Sequence, residues 1–182
     1  YHGLTFGKRT KSALAYTDNA IIINSFSKYF CMTGWRLGWM VLPEDLVPTA
    51  EMLAQNMYIS AATINQLGAI AAFDCYDELD AHIPRYEENR DILYRGLPAE
   101  FLGSYAPSDG AFYLYADVSA LTNDSVAFAE RILTDTGVAI TPGVDFDAVD
   151  GLTHMRLSYA GSTQDMKKAI QRLNEWLAGQ GR

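Results

Sequence analysis

The chain has 182 residues, and 49% of them are apolar, enough for a packed core and too many for a disordered segment. Its formal net charge is −8, which excludes a broad basic surface for nucleic acid and requires any bound anion to be held by a few local donors. The two cysteines, Cys31 and Cys75, lack pair spacing and a C-x-x-C pattern, which points to a reduced cytoplasmic protein; apolar runs such as Ala20 to Ile23 are far too short to span a membrane.

Residues 1–19 read as an irregular polar segment containing Gly3, Gly7, Lys8, Arg9, Thr10 and Lys11, with a turn at Thr17-Asp18-Asn19. The opening residues carry no initiator Met and no targeting core, which leaves a start inside a longer chain or a processed start. The run AIIINSF predicts a buried strand over about 20–25. A second strand is expected from Leu37 to Leu42, stopped by Pro43. Helices follow over 45–57, 61–74 and Asp77 to Leu97, with Pro84 marking a first turn or a kink in the last. The pattern then alternates: a strand from Gly110, a helix over 124–136, a short strand from Val138 to Thr141, and a strand from His154 to Tyr159. An amphipathic helix over 163–178 closes the chain, with Met166, Ile170, Leu173 and Leu177 inward and Thr163 near its start. The expected organisation is an α/β segment over 1–75, a connecting helix over 76–99 and a small α+β domain over 100–182. A sheet of two strands in the first segment leaves open edges, so that segment needs strands from elsewhere or a partner.

The segment Ser25-Phe26-Ser27-Lys28 sits at the carboxyl end of the first strand, where functional groups of α/β proteins gather. A partly desolvated lysine there is a reactive amine. The hydroxyls of Ser25 and Ser27 and the guanidinium of Arg36 suit a phosphate dianion. The Ser-x-x-Lys spacing also occurs in serine acyltransferases, but their Ser-Asp-Asn and Lys-Thr-Gly elements are absent. His2, His82 and His154 have no metal-ligand spacing, and no metal site is expected.

The string SFSKYFCMTGWRLG resembles the cofactor-attachment region of the fold-type I pyridoxal-phosphate-dependent aminotransferases, through Ser25, Ser27, Lys28, Thr33, Gly34, Arg36 and Gly38. The resemblance implies an aspartate-aminotransferase-like fold, with the end of the large cofactor-binding domain followed by the small C-terminal domain. It implies that Lys28 forms the Schiff base to pyridoxal 5'-phosphate, that Ser25 and Arg36 hold its phosphate, and that Ser27 assists. Tyr1 resembles the tyrosine of the family's D-x-x-Y motif, which contacts the phenolic oxygen. The motif's aspartate would stand three residues before Tyr1.

HMRLSYAGS resembles the family's carboxylate-binding strand, so Arg156 is expected to grip the substrate α-carboxylate. Alternation places Met155, Leu157 and Tyr159 on one face and His154, Arg156 and Ser158 on the other. Pro142 and Gly143 are expected to shape a loop near this site, and Asp109-Gly110-Ala111-Phe112-Tyr113 a strand entry. Asn56, Tyr58 and Ser60 fall where the family reaches a partner subunit or, equally, at an ordinary helix junction. Trp35 and Trp39 are expected to pack.

The implied activity is amino-group transfer between an L-amino acid and a 2-oxo acid, in a homodimer with shared active sites and neither nucleic-acid nor membrane partners. A carbon–sulfur β-lyase shares the same residues and remains the alternative. Cofactor-sensing regulators share the fold but usually add a DNA-binding region, which the acidic sequence does not show. The implied 182-residue unit carries the second half of the catalytic chain, with reduced or no activity alone.

Overall fold

In the computed structural model, which describes residues 1–7 and 9–180, the chain divides into two units, Tyr1–Ile83 and Pro84–Arg182. Lys8, expected within the polar turn segment, lies outside the described residues.

In the first unit, residues before the first strand form turns and one short 3-10 helix, Ala13–Ala15, capped by Ser12. The strands β1 (Ile22–Ser25) and β2 (Gly38–Val41) pair antiparallel, with Ile22 opposite Val41 and Ser25 opposite Gly38. β1 was expected to be buried, and within this chain it is not: Ile23 is 74% exposed, and every residue of β2 is exposed. The physical reason is that a two-stranded ribbon leaves edges and a face open: Trp39 packs against Phe26 and Phe73, but among the described residues Ile23, Met40 and Val41 stay largely in solvent. The helices α1 (Val47–Met57) and α2 (Thr63–Ala72) form where the Ala- and Leu-rich texture predicts them. They too leave apolar groups in solvent, among them Met52, Leu53, Met57, Ile64 and Ile70.

The expected helix from Asp77 to Leu97 is two helices, α3 (Tyr76–Asp80) and α4 (Ile83–Gly96). Pro84 explains the break, because it has no N–H to give the carbonyl of Asp80 and is tolerated only in a helix's first turn.

The second unit has a three-stranded antiparallel sheet of order β3-β5-β4, with β3 Tyr113–Asp117, β4 Thr141–Pro142 and β5 His154–Ser158. β3 starts later than expected because Ala111 adopts a left-handed φ of 61°, which a strand cannot continue through. β4 is shorter than expected and begins only at Thr141. Gly137 ends α5 (Ser125–Thr136) in a left-handed cap, and the Thr136 hydroxyl then accepts from the Val138 N–H, holding that residue in a turn. Asp124 caps the start of α5 by accepting from Val126 and Ala127. At the start of α6 (Thr163–Gln180) the cap is Ser162 rather than Thr163: its Oγ accepts from the Asp165 N–H and donates to the Asp165 carboxylate.

The core of this unit forms from alternate residues of β3 and β5 with one face of each helix. Leu114, Ala116, Met155, Leu157 and Tyr159 are buried with Phe101, Phe128, Ile132 and Leu173. Fully burying each large apolar side chain is worth about 1.5–3 kcal/mol, so this layer fixes the register that places Arg156 opposite Tyr115 on one side and Thr141 on the other. Asn89 of α4, fully buried, donates through Nδ2 to the carbonyls of Tyr159 and Gly161, tying the exit of β5 to the helix. Among the described residues no helix is long and apolar enough to cross a membrane.

Candidate active site

The turn after β1 is held open by packing beneath it. Phe26 and Tyr29 point inward and are buried, while Ser27 and Lys28 between them are only half-buried. The Phe26 ring sits 4.8 Å from Phe30, 5.0 Å from Trp39 and 5.6 Å from Phe73, centroid to centroid. Backbone bonds close the turn: Cys31 N–H donates to the Lys28 carbonyl, Met32 N–H to Phe26, and Phe26 N–H to Leu37. Gly38 lets the two strands approach here, because a Cβ at that position would collide with the Asn24 carbonyl oxygen.

On this base the polar groups form one connected chain. The Ser25 hydroxyl accepts from the Ser27 N–H at 3.0 Å, Thr33 Oγ1 donates to the Ser27 carbonyl at 3.0 Å, and Arg36 Nη1 donates to the Thr33 carbonyl at 2.8 Å. Arg36 itself adopts a left-handed φ of 48°, which turns the chain back into β2. Lys28 Nζ lies 5.7 Å from the centroid of the Tyr1 ring. Ser25, Ser27, Lys28 and Arg36 therefore share one turn, and Tyr1 stands beside the lysine. Tyr1, Gly3, Asn24, Ser25, Tyr29 and Asp80 line a neighbouring cleft of about 660 Å³, whereas Lys28, Ser27 and Arg36 do not line it. Of Ser25, Ser27, Lys28 and Arg36, only Ser25 lines the cleft.

These residues fit pyridoxal phosphate. A primary amine, two hydroxyls and an exposed guanidinium lie close together in sequence around this turn, and these are the group types that an aldehyde and a phosphate dianion require.

Arg156 belongs to the second unit. Its guanidinium carbon lies 4.3 Å from the Phe146 ring centroid and 5.6 Å from that of Tyr113. Nη2 donates to Thr141 Oγ1 at 3.4 Å, while Nε is buried with no hydrogen-bond partner. A small cavity of about 280 Å³ opens on the group, lined by Tyr113, Tyr115, Phe146, Asp147 and Arg156. A buried N–H on a guanidinium is costly to leave unpaired. An entering carboxylate would satisfy it through paired charge-assisted bonds.

The surrounding loops are braced. Ser108 Oγ donates toward Gly110 and Tyr113 carbonyls and bonds the Tyr159 hydroxyl at 2.8 Å, and Ser108 N–H donates to the Tyr94 hydroxyl. The Asp147 carboxylate accepts from the N–H groups of Asp150 and Val149, which hold it below the usual carboxylate range. The Pro142-Gly143 step lies directly after the Thr141–Arg156 pair, with Gly143 close to the hydroxyl of Tyr115, which lines the cavity.

Trp39 packs in the aromatic cluster, and the Trp35 ring lies against α2, where a Cβ at Gly68 would collide with it. Asn56, Tyr58 and Ser60 cluster at the C-terminal end of α1 and are exposed, with Asn56 Nδ2 donating back to Met52. The sequence reading missed Phe146 beneath Arg156 and the bond from Tyr29 to Asp80. Both pairs are separated by stretches whose path no local pattern reveals.

The family described as aminotransferase class I and II matches residues 1–173. The valine–pyruvate aminotransferase of Mycobacterium tuberculosis is 43% identical over 184 residues, covering 99% of this chain and 47% of that protein. The aspartate aminotransferase of Sulfurisphaera tokodaii is 34% identical over 166 residues, covering 89% of this chain and 42% of that protein. Among solved structures, an aminotransferase from Mycobacterium tuberculosis superposes with a TM-score of 0.92 at 43% identity, covering 98% of this chain and 47% of that one. An aromatic aminotransferase from Pyrococcus horikoshii gives 0.82 at 26% identity, covering 99% of this chain and 49% of that one. The chain thus spans about half the length of the relatives it matches. With the match running from Tyr1 through most of α6, the chain belongs to the class I and II aminotransferases, the fold-type I pyridoxal-phosphate family.

Proposed function

We propose that the protein carrying this chain transfers an amino group from an L-amino acid to a 2-oxo acid, using pyridoxal phosphate bound at Lys28. The observation that carries this reading is the run of hydrogen bonds that links Ser25, Ser27, Thr33 and Arg36, with Lys28 next to Ser27 in the chain and its amine beside the Tyr1 ring. Bound pyridoxal phosphate supplies an electron sink and carries the amino group between substrates. Lys28 Nζ would hold the cofactor, and the same amine would accept and return a proton. Arg36 and the Ser25 hydroxyl bind the phosphate, with Ser27 assisting, and Tyr1 orients the ring through its hydroxyl. Arg156 binds the substrate α-carboxylate; its buried, unpartnered Nε and adjoining cavity support that role.

In this reading, residues 1–75 form the end of the large domain, 76–99 the connection and 100–182 the small domain. The apolar faces of β1, β2, α1 and α2 would be covered by further large-domain structure and by a second subunit, since the relatives are about twice as long. Asn56, Tyr58 and Ser60 would then face the partner's active site in a homodimer. A cytoplasmic enzyme agrees with the free thiols of Cys31 and Cys75. The 182-residue chain by itself is expected to bind the cofactor weakly and to show little activity.

The test is absorbance of the intact protein with added pyridoxal phosphate, before and after Lys28→Ala. A lysine-dependent cofactor band, converted to the pyridoxamine form by amino acids, is expected. Absence of any Lys28-dependent band would sink the cofactor assignment, and release of pyruvate with ammonia would favour β-lyase chemistry instead.

A further inference from the structure

The residue that follows Lys28 is a buried tyrosine. Tyr29 is 7% exposed, and its phenol reaches across the unit to donate to Asp80 Oδ1 on α3 at 2.7 Å. Its ring lies against the turn that carries Tyr1: a Cβ at Gly3 would fall only 2.6 Å from Tyr29 Cδ2. Gly3 has a φ of +94°, so the turn both needs glycine and needs it bare where the ring passes. Phe30 meets the ring edge-on at 5.1 Å, and Tyr76 lies at 6.2 Å. Burial pushes the Tyr29 phenol up from its usual range, and the Asp80 hydrogen bond and charge add to this, so the group stays a donor.

These contacts act on the two sides of the candidate site together. The backbone bond from Cys31 to the Lys28 carbonyl closes the four-residue turn that Lys28 opens. Tyr29 is the next residue along, with its ring against Gly3 and its hydroxyl on Asp80, so it links the lysine turn to the turn that carries Tyr1. A side chain fixed at both ends loses little further freedom when the lysine must be aimed.

We propose that Tyr29, anchored by Asp80, is a positioning residue that aims the Lys28 amine at the cofactor and holds it against Tyr1. The proposal rests on the functional reading above. Tyr29 touches neither substrate nor reacting atoms; it acts through the lysine turn on one side and the Gly3 turn on the other.

The test uses the intact protein carrying this chain, loaded with pyridoxal phosphate. Tyr29→Phe removes only the hydroxyl, Asp80→Ala removes its acceptor, and Asp80→Asn keeps an acceptor oxygen. Three quantities are read per bound cofactor: the circular dichroism induced in it, the rate of the half-reaction with an amino acid, and KM for that amino acid. Tyr29→Phe and Asp80→Ala are expected to reduce the dichroism and to slow the half-reaction roughly tenfold or more, since small misplacements near the chemistry are amplified. KM and the melting temperature should change little. Asp80→Asn should recover most of the rate, and the double variant Tyr29→Phe/Asp80→Ala should be no worse than either single one. Unchanged dichroism and rate in Tyr29→Phe overturn the proposal. So does a variant that only melts earlier and binds less cofactor while each bound cofactor reacts normally, because that is a purely structural role. A wild-type protein with no Lys28-dependent cofactor band overturns the functional reading, and this proposal falls with it.

Discussion

The guanidinium of Arg156 rests over the face of Phe146, 4.3 Å from its centroid, with Nε buried and unpartnered beside an open cavity. A cation over an aromatic face is held by the ring quadrupole, and the planar fork keeps its remaining donors presented to one side. If this group binds the α-carboxylate, Arg156→Ala should lose about 3–4 kcal/mol of binding, a factor of roughly 10²–10³ in kcat/KM, from the paired charge-assisted bonds. Arg156→Lys should recover only part, because an ammonium cannot make the parallel pair. Steady-state kinetics with monocarboxylic amino acids decide this; an unchanged kcat/KM in Arg156→Ala removes the residue from the site.

Asn89 stands behind that strand as a structural clamp. Its Nδ2 is the donor to both the Tyr159 and Gly161 carbonyls just after β5. Asn89→Ala deletes the donor and leaves two acceptors short inside the unit, with an expected cost of about 2–4 kcal/mol. Asn89→Asp should cost at least as much, since an ionised carboxylate has no donor for either carbonyl and brings a charge to a fully buried site. Denaturant melts of the intact protein measure the loss; a change within about 0.5 kcal/mol would show that surface-like tolerance applies here.

The acid limb of stability should carry a contribution from Asp147. Its carboxylate accepts from the Asp150 and Val149 N–H groups, which lower its pKa from the ordinary value. A depressed folded-state pKa gives stability that is fully present above the unfolded value of about 3.9 and is lost as pH falls through the folded value. Asp147→Asn should therefore lower the melting temperature at neutral pH, and its difference from wild type should shrink as pH drops below about 4. A difference that stays constant to the acid end would mean the charge is not what holds the turn.

The local arrangement of the candidate residues that are contiguous in sequence was legible. Ser25, Ser27, Lys28 and Arg36 lie within one turn and its exit, so their spacing in the chain carries over directly to their hydrogen-bonded order. The face of β5 was legible for a related reason: a strand's period of two puts Met155 and Leu157 in the core and leaves Arg156 on the opposite side. Contacts closed by distant segments were not legible. Nothing local to Tyr29 names Asp80, 51 residues on, and nothing local to Arg156 names Phe146. The burial of β1 was misjudged because the run Ile21-Ile22-Ile23 reads the same whether its cover lies inside this chain or not.

That uncovered face leads to a last expectation. Ile23, Met40 and Val41 stand in solvent on a two-stranded ribbon, Ile21 just before it, and Met52, Leu53, Ile64 and Ile70 on the helices. Contiguous apolar surface joined to unpaired strand edges invites association. A polypeptide of these 182 residues expressed alone should sediment as oligomers that dissociate as concentration falls. Ile23→Lys, placed on an exposed apolar residue of β1, should weaken this association while leaving the second unit's fold intact, because Ile23 belongs to the first unit. Sedimentation velocity over a concentration series, with circular dichroism as the control for folding, reads both. A chain that remains monomeric at high concentration would show that these faces are covered by rearrangement within the unit itself.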